Sequence, residues 1–583
     1  MCDKFVYDLS QEVEGTPNIF IRKDWINIMD NMNTNYQSNQ SIIDTSQLSN
    51  SNKWMSYREA YLAVPLLLTI TGSDAIANFK MNDYSFGLKN WFGSIIHSLT
   101  LDYNGTTIIQ QTPFVNMWNI FRLLTSLSYN DVATMGATIG FYPDNFNSFE
   151  NNGALGSSTG LGICNNQMPI NATYTGQLQL NSYDTYQEDV DVPQITSGGN
   201  QGLTMRTKWI MYDPNAKAGD ETYSTLLTSA QCNIIWKSYI FNGAYNTQQL
   251  ANAAPLFQAN IMAIIYLRHL ASFFNMIPLL KGVFMKLTLN LNNASQNVEV
   301  LNGEFVKINS PTIPVGGVNP ILIPSISTGS SWITEAYGDA GAVQNSNITY
   351  NLSVGSKVLG LSGNYPNGSL AQSIYLYVPA YSFNPTFEEA YLSSSPKTIR
   401  YTDIYQYQVL NQTPMTSINA LVSNGIQNIK SVLIIPFLSS IPSSTTGGVL
   451  TNEWQSPFDT AGCGTTAPLV SLTNFNIQIS GQNAIYNTQR YNWEEFVNQL
   501  YGENAVNGGM TDGLTSGLID FMAFQNSACY YYVNVERMLP VEKSVPKSVQ
   551  ITGTNNTPNL INLWVFVEYE TEVRIDLYTG ARI

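Results

Sequence analysis

The segment Phe284-Met285-Lys286-Leu287-Thr288-Leu289-Asn290-Leu291 decides the fold class, because apolar and polar residues alternate along it. In an extended chain Lys286, Thr288 and Asn290 fall on one side, and the apolar residues fall on the other. This period of two predicts a β-strand with one buried face.

Similar short runs, rich in Val, Ile, Tyr, Phe and Thr, recur between clusters of Gly, Pro, Asn and Ser. This alternation of strands and turns is typical of β-sandwiches and barrels. The runs are Tyr61–Ile70, Ile95–Leu101, Val283–Leu291, Ile374–Val378, Val432–Phe437, Phe475–Ile479, Tyr530–Val535 and Leu563–Tyr569. The sequence therefore predicts an all-β protein.

Two segments have apolar residues at helical spacing. Pro113–Leu127 repeats Phe, Met, Trp and Leu every three or four positions, and its proline suits a first helical turn. Trp493–Tyr501 is shorter and has the same kind of apolar face. Both are predicted to be short packing helices against the strands.

The composition limits the possible partners. Charged residues make up 11% of the 583 residues, against about 25% in ordinary domains. The polar surface is therefore built from Asn, Gln, Ser and Thr, which suits faces that touch other copies; AT-rich codons would produce part of the same bias. The net charge of −15 disfavours direct binding of nucleic acid.

The length exceeds what one hydrophobic core usually organises. A short sequence motif, YLxVP, also occurs twice, and we call this repetition the echo. Tyr61–Pro65 reads YLAVP and Tyr375–Pro379 reads YLYVP. We interpret the echo as a duplicated β unit with a boundary near residues 293–310. The predicted domains are 1–300 and 301–583. Long loops without periodicity are predicted as insertions at 129–229, 309–370 and 439–466.

Five segments together resemble the major capsid proteins of polinton-like viruses and virophages, which belong to the double jelly-roll lineage of tailless DNA viruses. They are Lys53–Ile70, Phe273–Asn292, Asn474–Asn487, Tyr530–Asn555 and Leu563–Gly580. They lie in both halves of the chain and leave out its long loops.

The resemblance implies two tandem eight-stranded jelly rolls and a homotrimer with a pseudo-hexagonal outline. Such trimers would be the capsomers of an icosahedral shell. Their partners would be neighbouring capsomers, a vertex penton protein and minor capsid proteins. The protein would then be located in the virion, after assembly inside the host cell.

Few residues suggest chemistry, and we predict no catalytic, cofactor-binding or metal-binding residues. His97 and His269 are isolated in apolar runs and are interpreted as structural. Gly156–Gly160 matches GxSxG, but loop-like sequence flanks it where a nucleophile elbow needs a strand and a helix.

Other polar features have simple explanations. The acidic cluster fits a calcium site or a solvated loop, and the missing EF-hand spacing favours the loop; its members are Asp184, Glu188, Asp189 and Asp191. The cysteines show no paired spacing and are interpreted as buried free thiols; they are Cys2, Cys164, Cys232, Cys463 and Cys529. The first residues lack an apolar run, so no signal peptide is predicted.

A second hypothesis is a secreted or surface β-sandwich protein that binds or cleaves carbohydrate, or an adhesin. Aromatic residues would stack on sugars, and an enzyme would need two carboxylates. Tyr530-Tyr531-Tyr532 does not form such a platform, because neighbouring side chains of a strand point to opposite faces. The missing signal peptide and the predicted duplication favour the capsid hypothesis.

Overall fold

The structure is a computed structural model. It describes residues 19–48, 51–72, 85–143, 207–209, 238–240, 256–301, 305–308, 311–322, 346–355, 373–438, 470–485, 491–500, 517–521, 524, 530–536, 545–557 and 560–583. Short runs of β-branched and aromatic residues give its strands.

The described strands, in chain order, are β1 (Phe20–Met29), β2 (Gln40–Asp44), β3 (Trp54–Met55), β4 (Tyr61–Gly72), β5 (Ser85–Leu88), β6 (Ile96–Tyr103), β7 (Thr106–Ile109), β8 (Thr207–Trp209), β9 (Ser238–Ile240), β10 (Leu256–Tyr266), β11 (Met285–Leu291), β12 (Ala294–Leu301), β13 (Phe305–Ile308), β14 (Ile321–Leu322), β15 (Ser346–Val354), β16 (Tyr375–Phe383), β17 (Lys397–Gln412), β18 (Ser417–Ile426), β19 (Ile429–Leu438), β20 (Leu472–Ile479), β21 (Gln482–Asn483), β22 (Tyr531–Asn534), β23 (Lys547–Asn555) and β24 (Ile561–Ile575). The described α-helices are α1 (Val115–Ser126), α2 (Tyr129–Ile139), α3 (Leu267–Leu270), α4 (Phe273–Met276), α5 (Pro385–Leu392) and α6 (Trp493–Leu500). The two predicted packing helices are confirmed as α1 and α6.

The second half of the chain is a jelly roll. Eight strands form two antiparallel sheets, β17-β24-β19-β22 and β18-β23-β20-β21. Counted along this half, one sheet holds the first, eighth, third and sixth strands. The other sheet holds the second, seventh, fourth and fifth, which is the order of a jelly roll. We call these sheets 3 and 4.

The first half repeats the same order. Its strands β1-β16-β4-β10 form sheet 1, and β2-β11-β6-β7 form sheet 2. Further strands extend sheet 1, while β14-β5-β8 make a separate small sheet. The prediction of an all-β fold with two tandem eight-stranded jelly rolls is therefore confirmed.

The predicted domain limits, 1–300 and 301–583, do not coincide with the two jelly rolls. Strands β15 and β16 lie beyond residue 300, yet both pair with β4 of the first half. The region 293–310, predicted as the boundary, contains β12 and β13. We propose a division between β16 and β17, because every later strand that the structure describes belongs to sheet 3 or sheet 4.

The YLxVP echo was the wrong basis for the duplication. Its two copies lie in β4 and β16, which are neighbours in sheet 1, with Tyr377 opposite Tyr61. By strand order β4 corresponds to β19 and β16 to β24. The echo thus reflects two adjacent strands with a common alternation and not two equivalent positions.

The predicted loop insertions are corrected in part. Helix α2 and strand β8 lie within 129–229, and β14 and β15 lie within 309–370. Helix α2 begins at a capping box, in which Ser128 and Asp131 exchange hydrogen bonds. The insertion at 439–466 is outside the described residues.

Each jelly roll has an apolar interior. In the second half, alternate residues of sheet 3, such as Val432, Leu563 and Val565, face Ile477 and Ile551 of sheet 4. In the first half, β11 buries Met285, Leu287, Leu289 and Leu291, as its alternation predicts.

We expect Leu563→Ala to lower the free energy of unfolding by about 2–5 kcal/mol, because its fully buried side chain leaves a cavity in the second core. The matched control is Leu421→Ala on β18, where the leucine is exposed and the expected change is below about 0.5 kcal/mol. Urea unfolding measures both variants, and similar losses for the two would contradict this core.

Candidate interaction surfaces

The two halves are joined by helix α1, which lies across the outer side of sheet 3. Trp118 contacts Phe566 with ring centroids 6.4 Å apart, and Phe121 stacks on Tyr532 at 5.4 Å. These helical residues are buried and spaced three apart, which places them on one side of α1. Residues 431–437 of β19 and residues 561–567 of β24 in sheet 3 are consequently buried on both faces.

The three consecutive tyrosines are divided between two interiors. Tyr530 and Tyr532 contact Phe121 of α1, at 5.0 and 5.4 Å. Tyr531 points the other way and contacts Phe475 inside the second jelly roll, at 5.0 Å. Their interpretation as core and interface packing is confirmed.

Hydrogen bonds reinforce the contact between the halves. The Tyr401 hydroxyl donates to the Ile108 carbonyl at 2.8 Å, and the Thr112 hydroxyl donates to the Ile404 carbonyl at 2.9 Å. The Gly580 carbonyl accepts from the Tyr103 hydroxyl at 2.8 Å. Gly580 has a φ of +67°, and a Cβ there would lie 2.8 Å from the Val283 side chain. Glycine is therefore required at this turn.

A buried carboxyl lies at the same junction. Asp403 accepts hydrogen bonds from its neighbour's amide, Ile404 N, at 2.9 Å and from the Tyr569 hydroxyl at 3.2 Å. Burial raises the pKa of Asp403, although these donors oppose the shift. Burial likewise lowers the pKa of Arg122. Both residues line a cavity of about 20 Å³ between the halves, which has room for one water and not for a substrate.

The equivalent outer side of sheet 1 is not covered by the described part of the chain. Tyr377, Tyr61 and Tyr266 lie directly opposite one another on β16, β4 and β10. Trp25 on β1 adds a ring 5.6 Å from Tyr61, and Tyr375 adds one 6.3 Å from Tyr377. These five residues define the aromatic face. Its position matches that of the sheet 3 surface beneath α1.

The outer sides of sheets 2 and 4 are polar. Lys286, Thr288 and Asn290 are partly exposed on β11, as predicted. On sheet 4 the Gln550 amide is hydrogen-bonded to Asn419. These faces carry few apolar side chains and do not resemble the aromatic face.

His97 is buried and His269 is half-buried, and each ring packs against aromatic side chains. The ring of His97 lies 4.9 Å from Phe114, next to the start of α1. The ring of His269 lies between Tyr266 and Trp91, at 5.7 and 6.1 Å. Burial lowers the pKa of each imidazole to about 4, and Arg268 and Arg122 add to the effect at His269.

A surface cleft of about 320 Å³ carries charges that are already paired. Lys430 lies 3.6 Å from Glu570, and Arg400 lies 3.5 Å from Glu572. Among the described residues, no cluster of three or more His, Cys, Asp or Glu could hold a metal. Within the same residues, no helix is long and apolar enough to cross a membrane.

Several sequence features lie outside the described residues. They are the GxSxG match at 156–160, the acidic cluster at 184–191 and all five cysteines. The sequence does not predict the aromatic face, because its members come from four separate strands. Its local signal is the alternation of outward-facing residues with buried leucines and valines, as at Tyr61 in β4 and at Tyr375 and Tyr377 in β16.

We expect the stability to fall in acid. Each histidine has a folded pKa of about 4 against the ordinary value of 6.5, so the unfolded chain binds more protons between these two pH values. The free energy of unfolding should therefore fall as the pH drops from 6.5 to 4, by up to about 1.4 kcal/mol per pH unit for each histidine. The raised pKa of Asp403 acts in the opposite direction and favours the folded state in acid.

The measurement is denaturant unfolding at several pH values, on the wild type, His97→Gln, His269→Gln and the double variant. Each substitution should flatten the pH dependence, and the double variant should flatten it most. A slope that persists unchanged in the double variant would show that other groups cause it.

Comparison with known proteins gives structural similarities only. No family model matches the chain. No curated protein matches it either. The chain is similar to a chain of the cryo-electron microscopy structure of the Sputnik virophage, at 12% identity and a TM-score of 0.44, over 98% of this chain and 90% of that one.

Two further solved structures are similar over nearly their whole length. The mavirus major capsid protein has 10% identity and a TM-score of 0.45, covering 99% of this chain and 94% of that one. The Faustovirus major capsid protein has 9% identity and a TM-score of 0.38, covering 97% and 92%. The solved structures to which the chain is similar thus include viral major capsid proteins.

Proposed function

We propose that the protein is a major capsid protein that assembles as a homotrimeric capsomer. One observation carries the proposal: two jelly rolls of the same strand order pack in tandem, with the α1 side of the first against sheet 3 of the second. This role is structural and needs no catalytic residue.

The contact between the halves joins two different surfaces. Such a heterologous contact leaves one copy of each surface unused in every chain. When the same contact is repeated between chains, it forms a closed ring if the rotation from one chain to the next permits closure. Within the described parts of the chain, the surfaces left unused are the aromatic face of the first half and the α6 side of the second. Three chains would supply six jelly rolls, which matches the pseudo-hexagonal capsomer that the five segments imply.

The finer parts of the proposal come from that resemblance. The trimers would tile an icosahedral shell and contact neighbouring capsomers, a vertex penton protein and minor capsid proteins. The polar, weakly charged outer sides of sheets 2 and 4 suit contacts between capsomers, since they repel one another little. The protein would accordingly reside in the virion.

We expect the purified protein to elute as a particle of three times 64.6 kDa in size-exclusion chromatography with light scattering. Negative-stain electron microscopy should show a six-lobed outline, and larger assemblies should form at raised concentration. A permanent interface of this kind buries more than about 2,000 Å², so the trimer should persist on dilution to micromolar concentration.

A control for specificity is the same measurement at high salt, which should leave the trimer intact because few charges contribute. A monomer at every concentration would contradict the proposal. A monomer that also binds oligosaccharide would favour the carbohydrate-binding hypothesis instead.

A further inference from the structure

We infer that Asn424 is a site of spontaneous deamidation in the folded protein, whereas the fold protects Asn104 from the same reaction. Each of these asparagines is followed by glycine, and each is exposed. They differ in what holds the side chain and the backbone around it. The chain thus contains a reactive and a protected Asn-Gly pair, and the inference does not depend on the proposed function.

The reaction joins the asparagine side chain to the amide of the next residue. Hydroxide removes the proton of the Gly425 amide, and the amide nitrogen forms a bond to Cγ of Asn424. The bond from Cγ to the side-chain nitrogen breaks, and that nitrogen takes a proton from water and leaves as ammonia. Water then opens the succinimide ring at either carbonyl carbon, which gives aspartate or isoaspartate. Glycine favours the attack because it has no Cβ to obstruct the nitrogen.

Asn424 and Gly425 lie in a bulge of β18. Within the described part of sheet 4, β18 is an edge strand that pairs with β23 alone. Ser423 is opposite Val549 and Ile426 is opposite Lys547, so the two residues between them have no partner residue on β23. The peptide between Asn424 and Gly425 must rotate to bring its nitrogen to Cγ. Few contacts oppose that rotation in the bulge.

The reacting groups of this pair are accessible. Asn424 is exposed, and its carboxamide makes no hydrogen bond to any residue that the structure describes. The Gly425 amide donates to the Ser423 hydroxyl at 3.3 Å, which is long for such a bond. A Cβ placed on Gly425 would have no other atom within 4 Å. Hydroxide and water can therefore reach both the amide and the ring that forms.

Asn104, in contrast, is held at both ends of its carboxamide. Its Nδ2 donates to the Gly580 carbonyl at 2.8 Å, and its Oδ1 accepts from the Phe284 amide at 3.1 Å. Its own backbone amide donates to the Phe284 carbonyl at 2.9 Å. Attack on Cγ requires the side chain to turn away from these partners. The reaction at Asn104 must therefore wait for a local opening of the turn.

The product at Asn424 is compatible with the fold. Deamidation replaces a neutral amide by a carboxylate and so adds one negative charge to a chain of net charge −15. Isoaspartate also adds one methylene to the backbone. Because the two bulge residues lack partners on β23, the extra atom does not shift the paired residues on either side. The folded protein should thus accumulate a more acidic form with the same melting temperature.

The first test is peptide mapping by mass spectrometry after the purified full chain is incubated at mildly alkaline pH in water enriched in heavy oxygen. The label distinguishes deamidation during the incubation from deamidation during digestion. Asn424 should react at least about tenfold faster than Asn104, because two hydrogen bonds must first be released at Asn104. Mapping reads each site separately from the Asn-Gly pairs outside the described residues, at 152–153, 242–243, 302–303, 367–368 and 507–508.

The control for the effect of the fold is the same incubation in denaturant. There the two sites should react within about threefold of each other, since the local structure that separates them is lost. Equal rates at Asn104 and Asn424 in the folded protein would overturn the inference. So would an unreacted Asn424 in the folded protein over a period in which the unfolded chain reacts there.

The second test uses matched glycine variants. Gly425→Ala should slow the reaction at Asn424 at least about tenfold, because the added Cβ obstructs the attacking nitrogen. Gly553→Ala, on the neighbouring strand β23, should change the rate less than about threefold; a Cβ fits at both positions without a close contact. An unchanged rate in Gly425→Ala, or aspartate as the sole product in the wild type, would overturn the succinimide route. A lower melting temperature of the acidic fraction, separated by ion exchange, would overturn the compatibility with the fold.

Discussion

The constraint on which the structure depends is that sheet 3 carries apolar side chains on both faces. Every residue from Ile561 to Val567 is at most 5% exposed. Strands buried on both sides read as continuous apolar runs, in contrast to the alternation of β11. One face of sheet 3 is covered by its own jelly roll, so the other requires a second layer. Helix α1 supplies that layer, and buried residues of the two halves therefore share one hydrophobic cluster.

The local elements could be predicted from the sequence, whereas their partners could not. Period-two alternation and apolar runs gave β4, β11, β19 and β24, and helical spacing gave α1, because these patterns act over a few residues. Strand neighbours are set by contacts between distant segments. The YLxVP echo consequently pointed to a duplication that exists, through residues that do not correspond. Strands β15 and β16 lie after residue 300 and pair with β4 in sheet 1. No local sequence pattern predicts this pairing.

The aromatic face could not be predicted from the sequence for the same reason. Trp25, Tyr61, Tyr266 and Tyr377 form one surface because four strands bring them together. Each alone is an ordinary outward-facing residue of a strand. The low charge content predicts surfaces suited to contact, and the described residues leave one aromatic surface of the first half uncovered. The histidines, in contrast, could be assigned to the interior directly from their apolar neighbours.

Sheets 1 and 3 occupy equivalent positions, but the side chains on their outer faces differ. We relate this difference to the stage at which each face is covered. The face of sheet 3 meets α1 within the same chain, where the covalent link keeps the effective concentration high. It never has to face water in the folded protein, and it carries Leu433, Trp564 and Phe566. In the homotrimer proposed above, the aromatic face of sheet 1 would meet another copy only on assembly and would contact water before then. Tyrosine suits both states, since its ring packs in the assembly and its hydroxyl hydrogen-bonds to water before it.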